Sequence, residues 1–285
     1  MAQPVAPGWS HIRNESPAGS PDGDNHQVSS IRRALVVPFL AALTACGAPP
    51  GDPVSGPTAP VLPAARAVTR GASIDSFPRF SPDGRQLAYV ADEDGLRRLW
   101  LMPAGGGESR PITTPTQFVV TPEWAPDGTR LAFVSDHAAP TGVWVVGIDG
   151  GRQRVSGGEL PASAPSWAPS GETLVYRHPQ GDGFDLWLWS ESDGSSRQLT
   201  RGGQVRGAAR WSPDGSQLVY VGDYAGTSSL FLMSAVGDDV TALTLDEGAD
   251  YDPRWSPDGR EIAFVSNRAG SPDVWAVSTS GGAPR

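Results

Sequence analysis

Side chains able to do chemistry are sparse and scattered along this chain. His137 and His178 lie near Asp136, Asp182 and Asp185, and imidazole with carboxylate is a donor set for divalent ions. Neither histidine belongs to a His-x-x-x-His pair or to any other ligand spacing, so no metal ligand is assigned. A serine hydrolase would need a Gly-x-Ser-x-Gly elbow, and the sequence contains none. The recurring Asp-Gly pairs lack the alternating oxygen ligands and closing Glu of a calcium loop, and turn-making accounts for them. No catalytic residue and no cofactor follow from this inventory.

The single cysteine, Cys46, excludes an intramolecular disulfide but suggests a modification. Arg32 and Arg33 precede an apolar run from Ala34 to Ala45 that is too short to span a bilayer and ends in Leu43-Thr44-Ala45-Cys46. This resembles the bacterial lipobox, which implies cleavage before Cys46, acylation of that residue and anchoring in a membrane. The expected organisation is an N-terminal extension at 1–30, disordered or mis-assigned, a lipoprotein signal at 31–45 and a Pro/Gly-rich tether at 46–64. Val28, if read as the initiator, would give the signal the short charged start that such signals have.

Residues 65–285 must supply the elements. With 35 Gly and 28 Pro beside 38% hydrophobic residues, the composition suits many short strands joined by tight turns. A net charge of -9, with all 22 basic residues Arg, argues against a nucleic-acid partner, since phosphate neutralisation needs clustered cations. An aromatic followed by a turn recurs as Phe80-Ser-Pro-Asp83-Gly, Trp124-Ala-Pro-Asp127-Gly, Trp167-Ala-Pro-Ser-Gly, Trp211-Ser-Pro-Asp214-Gly and Trp255-Ser-Pro-Asp258-Gly. The aromatic advances by 44, 43, 44 and 44 residues, and 20 residues after each lies another aromatic, at Trp100, Trp144, Trp187, Phe231 and Trp275. In each Pro-Asp-Gly turn Pro presets φ, Asp bonds nearby backbone and Gly takes φ above zero. The pattern predicts four short antiparallel strands per unit, hence an all-β propeller of five four-stranded blades, with repeats at about 70–113, 114–156, 157–200, 201–244 and 245–285.

The fourth strand of each unit finishes eleven residues before the next turn aromatic, at Thr113, Ser156, Thr200 and Thr244, and Thr69 stands eleven before Phe80. Residues around Val68-Thr69 are therefore expected to complete the last blade and close the ring, removing its open edges. A fragment of a six- or seven-bladed parent is the competing expectation.

Aromatic-Ser-Pro-Asp-Gly, an apolar strand and then Asp-Leu-Trp or Asp-Val-Trp resemble the WD40-like PD40 repeat of the TolB family, over residues 66–285. The resemblance implies a periplasmic, protein-binding propeller. The chain departs from full-length TolB in lacking the α/β domain ahead of the propeller and in having the lipobox-like segment. Similar propellers also serve as lids of prolyl-oligopeptidase-type hydrolases and as sugar-lyase scaffolds, so the fold does not fix the function.

Recognition is expected on the variable loops joining strands two to three and four to one. They carry Asp92, Glu93, Asp94, Arg97 and Arg98, then Asp136 and His137, then His178, Asp182 and Asp185, then Asp223 and Tyr224, and Asn267 and Arg268. Asp246, Glu247, Asp250, Tyr251 and Asp252 join them from the last connection. The mostly acidic face would attract a basic protein segment or a cation. The leading reading is a non-enzymatic, lipid-anchored envelope protein that holds a protein or peptide. Its alternative is a carbohydrate-active or metal-dependent lyase or hydrolase with its site at the channel mouth.

Overall fold

Every Pro-Asp-Gly motif makes the turn its residues require. The N–H of Gly84, Gly128, Gly171, Gly215 and Gly259 each donates to the carbonyl three residues back, at 2.9–3.0 Å, with φ between 70° and 75° at the glycine. Where serine precedes the proline, its hydroxyl donates to the turn aspartate at 2.6 Å and accepts the N–H that opens the next strand at 2.9 Å. The computed structural model describes residues 65–285 apart from 72, 139, 157–160 and 246–247, so the segments 1–30, 31–45 and 46–64, with Cys46, lie outside the described residues.

Among the described residues nineteen strands follow as a continuous meander. Blade 1 holds β1 (Ile74–Phe80), β2 (Gln86–Glu93), β3 (Leu96–Pro103) and β4 (Arg110–Pro111); blade 2 holds β5 (Val119–Trp124), β6 (Arg130–Ser135), β7 (Gly142–Gly147) and β8 (Arg152–Arg154). Blade 3 holds β9 (Ser163–Trp167), β10 (Thr173–Gln180), β11 (Gly183–Ser190) and β12 (Ser196–Gln198), and blade 4 holds β13 (Arg210–Trp211), β14 (Gln217–Tyr224), β15 (Thr227–Ser234) and β16 (Thr241–Ala242). Blade 5 has three strands, β17 (Asp250–Trp255), β18 (Glu261–Ser266) and β19 (Asp273–Ser278). All pairings within the blades are antiparallel, as alternating short strands and tight turns demand.

A hydroxyl fixes each fourth strand. Thr113, Ser156, Thr200 and Thr244 accept the N–H of Leu99, Val143, Leu186 and Leu230 at 2.9–3.0 Å, a side-chain bond carrying on where the short strand stops. This is why the repeat ends in Thr or Ser.

Among the described residues four layers of core lie between blades, and a fifth cluster of Leu87, Tyr89, Ala91 and Met102 lies in blade 1. In the first, Ala88, Leu99 and Leu101 of blade 1 meet Trp124, Phe133 and Trp144 of blade 2, and the later junctions repeat that chemistry. The turn aromatic also ties its blade to the one before it. The indole N–H groups of Trp124, Trp211 and Trp255 donate at 3.0–3.1 Å to the carbonyls of Arg79, Ser166 and Arg210 on the preceding innermost strand.

The five blades are as expected, and among the described residues 66–69 form no strand. Among the described residues nothing from 66–69 joins blade 5. Instead Arg285 exchanges two backbone hydrogen bonds of 2.9 Å with Ala276, in the place Arg110 takes beside Leu101 and Arg197 takes beside Leu188. Residues near Val68 pack on blade 1, against Tyr89, Met102 and Trp100.

Candidate functional site

The loop residues picked out by sequence fall where the connections place them, but most are held by neighbours. Asp92 accepts from the Gly95 N–H at 3.0 Å and pairs with Arg97 at 3.1 Å, while Asp94 occupies the same turn in the left-handed region, φ 54°. Glu93 pairs with Arg98 at 3.3 Å. Asp223 pairs with Arg206 at 2.7 Å and accepts from the Gly226 N–H at 3.0 Å. The Arg206 hydrogen bond holds the Asp223 carboxyl below the usual carboxylate range. Asp136 accepts from the Phe118 N–H, and Asn267 accepts from the Ala249 N–H, at 3.0 and 2.7 Å. Tyr224 is exposed at its turn.

Two carboxylates expected at the surface are wholly buried. Asp185 accepts from Gln198, Thr200 and the Gly203 N–H at 3.0–3.1 Å. Asp250 accepts from the Thr244 hydroxyl at 2.5 Å and from the Arg268 guanidinium at 2.9 Å, and Arg268 also lies over the Phe264 and Trp275 rings. These groups stabilise the strand ends, because a buried charge persists only when paired and hydrogen-bonded. The sequence places them near loops without showing that their side chains turn inward.

The histidines also serve packing. His137 stands edge-on to Trp144 with ring centroids 5.2 Å apart, and its Nδ1 is 3.3 Å from the Thr114 hydroxyl; burial and Arg152 push its pKa down. His178 lies 5.5 Å from the Trp187 ring centroid with Nδ1 3.0 Å from the Pro179 carbonyl. Among the described residues no three His, Cys, Asp or Glu side chains converge as a metal site requires.

A different group of residues does converge, at the innermost strands. Each turn aromatic is preceded by a polar residue: Arg79, Glu123, Ser166, Arg210 and Arg254 in turn. Three residues before the aromatic, Phe77, Thr121, Ala164 and Asp252 all have positive φ, 48° to 52°, at bulges in β1, β5, β9 and β17. A proline follows each of them, at 78, 122, 165 and 253, and cannot donate to the ladder where the bulge leaves it unpaired. Blade 4 has Ala209 there instead, no left-handed residue, and a two-residue inner strand. A non-glycine residue in the left-handed region costs about 1 kcal/mol or more, and such conformations concentrate where function requires them.

The bulges bring charges from several blades into mutual range. Glu123 receives the Trp167 backbone N–H at 3.0 Å; burial pushes its carboxyl pKa up, against the pull of Arg210 and Arg79. Burial lowers the Arg210 guanidinium pKa, with Glu123 and Asp252 opposing and Arg254 and Arg79 adding to the effect. Arg79 and Arg254 each donate to the carbonyl of the preceding proline at 3.0 Å. Beside them a cavity of about 330 Å³ opens between blades 4 and 5, lined by Arg206, Arg210, Tyr251, Asp252 and Arg254. The inner rim is thus more cationic than the loops around it. The sequence signal for it is the proline two residues before four of the five turn aromatics.

Comparison with known proteins agrees with this architecture. The PD40 family model, described as the TolB beta propeller domain, matches residues 63–207 and 203–285. TolB from Acinetobacter baumannii superimposes with a TM-score of 0.59 at 20% identity, over 71% of this chain and 52% of that one, so the matched part is about half of its length. An oligogalacturonate lyase in complex with manganese superimposes with a TM-score of 0.63 at 18% identity, over 74% of this chain and 66% of the other. In sequence, the uncharacterized peptidase YuxL of Bacillus subtilis (strain 168) is 44% identical over 46 residues, 16% of this chain and 7% of that protein. At these structural identities the likeness is one of fold.

Proposed function

The chain belongs to the PD40 TolB β-propeller family, and on that premise we propose that it is a non-enzymatic binding scaffold of the bacterial cell envelope, anchored through a lipid on Cys46 and holding a protein or peptide at the inner rim of its blades. The observation that carries this reading is the set of inner-strand charges, with Arg79 and Arg210 in range of Glu123 and Arg254 in range of Arg210, beside the cavity between blades 4 and 5. Planar guanidinium groups on rigid backbone match carboxylates in a two-pronged geometry, and a partly desolvated arginine binds one more strongly than an arginine in open water. The favoured ligand is an acidic segment of an envelope protein. The acidic outer loops are largely neutralised by their own arginines, which weakens the case for a basic partner.

Capture from a native envelope extract with the full chain as bait tests the reading. A protein retained by the natural chain and lost with Arg210→Gln/Arg254→Gln is the expected result. Equal retention by both baits would move the site away from the rim. Asp250 is unsuitable for such a test, because a change at a buried, doubly bonded carboxylate reads out folding.

One observation favours a second reading. The same arginines would accept the carboxylates of a uronic-acid oligosaccharide, and an oligogalacturonate lyase shares the fold. Binding of oligogalacturonide, with release of an unsaturated uronate followed by ultraviolet absorbance and abolished by EDTA or by Arg210→Gln/Arg254→Gln, would select the enzyme over the scaffold.

A further inference from the structure

One position of the repeat is filled differently in blade 3. The residue that follows the second-strand aromatic is Val90, Val134, Val221 and Val265 in blades 1, 2, 4 and 5. Val90, Val134 and Val221 are at most 4% exposed, and each belongs to the core between blades. Blade 3 has Arg177 in that place, paired across the sheet with Leu186 of β11. It lies on the same face of β10 as Val175, which packs in the layer between blades 3 and 4. An arginine in a valine's place gives up hydration, and burial lowers its guanidinium pKa.

A second exception accompanies the first. Three residues before the third-strand aromatic the blades carry Arg97, Thr141, Phe184, Ser228 and Pro272, so blade 3 has an aromatic ring where the others have none. The Arg177 guanidinium lies over that ring, 4.0 Å from its centroid, and is held flat against it. Its Nε is buried without a hydrogen-bond partner, and among the described residues no carboxylate pairs with the group. The blade 4 segment that packs on this layer, Val205 to Ala209, has no carboxylate, and its one charge, Arg206, is taken by Asp223. The Arg177 side chain is only half-buried, which leaves it open to a ligand. In the inner row Arg79, Glu123, Ser166, Arg210 and Arg254 the blade 3 member is neutral. Ser166 pairs with Val175, two residues from Arg177 on the same face, so Arg177 supplies the cation that the row lacks on this blade.

We infer that Arg177 is a further carboxylate-binding residue, through which blade 3 reads the same acidic protein segment that Arg210 and Arg254 hold at the inner rim; this rests on that reading of the rim. A carboxylate brings the countercharge and the hydrogen-bond acceptors that the folded chain leaves out, and stacking on Phe184 keeps the guanidinium fork in place to receive it. A merely structural arginine would stabilise the fold through its ring contact. One kept in a core position for a ligand costs stability until the ligand arrives. The two roles give opposite signs for the same substitution.

Thermal unfolding and the fluorescence anisotropy of a labelled hexaglutamate peptide, both on the full chain, test this with Arg177→Val, the residue of the other four blades. The variant should unfold about 2–4 °C higher than the natural chain. It should also bind the peptide about tenfold more weakly, or worse. Arg177→Lys, which keeps the charge and loses the fork, should fall between the two in affinity. A lowered midpoint in Arg177→Val would make Arg177 a structural residue and overturn the inference. Unchanged affinity in Arg177→Val beside lost binding in Arg210→Gln/Arg254→Gln would overturn it while leaving the rim reading in place. The converse, loss with Arg177→Val alone, would keep Arg177 as the carboxylate site and overturn the rim. A natural chain with no saturable binding of the peptide would overturn both.

Discussion

Two carboxylates behave oppositely for reasons visible in their immediate surroundings. Glu123 gives up hydration at the inner rim for one backbone N–H and two distant guanidinium groups, and burial dominates by raising its pKa above the ordinary 4.5. A proton is then held more tightly in the folded chain, so the ionised form weakens folding as pH rises past the ordinary value. Glu123→Gln keeps an acceptor for Trp167. It should raise the thermal midpoint at neutral pH, with the gain shrinking as pH falls towards 4.5, as followed by calorimetry across pH. Asp214 is the reverse case: hydrogen bonds from Ser212 and from Ser216 lower its pKa to about 2. Its contribution to folding is complete above the ordinary 3.8 and is lost as pH falls through the lowered value. Ser212→Ala should bring the Asp214 titration back towards 3.8, as read by carbon-detected NMR.

At the level of the element, each fourth strand is too short to hold itself and depends on a single hydroxyl. Thr244 is the most demanding instance, since its buried side chain accepts from the Leu230 N–H and donates to the buried Asp250. Thr244→Val keeps the shape and removes both bonds, and should cost about 1–3 kcal/mol in denaturant unfolding. Thr113→Val, which removes the bond to Leu99 without a buried carboxylate behind it, should cost less. The turn motif was fully legible in sequence, because Pro, Asp and Gly each have a local conformational reason to be there. The bulges were not. Their proline was visible, but that Phe77, Thr121, Ala164 and Asp252 would adopt positive φ depends on the pairing of β1, β5, β9 and β17 with their neighbours.

For the molecule as a whole, stability is shared between neighbours, as in any repeat array, so blades flanked on both sides should be the best protected. Hydrogen exchange should open β1, β18 and β19 well before β6, β10 and β14. Uniform protection from blade 1 to blade 5 would indicate that the ends are joined. The acidic composition makes a basic partner the expectation, whereas the pairing of loop carboxylates with Arg97 and Arg206 and the arginines on the inner strands are what support the acidic partner proposed above. Net charge is a property of the whole surface, whereas recognition depends on which charges remain unpaired at one place.

By itself the sequence determined the all-β class, the five repeats, their strand order and the turn geometry, because these follow from short-range chemistry repeated at a fixed period. Tertiary structure alone decided that Asp185 and Asp250 turn inward, and that Arg79 and Arg210 come into range of Glu123. Each of those outcomes depends on residues brought together from separate strands, a relation that no local pattern encodes.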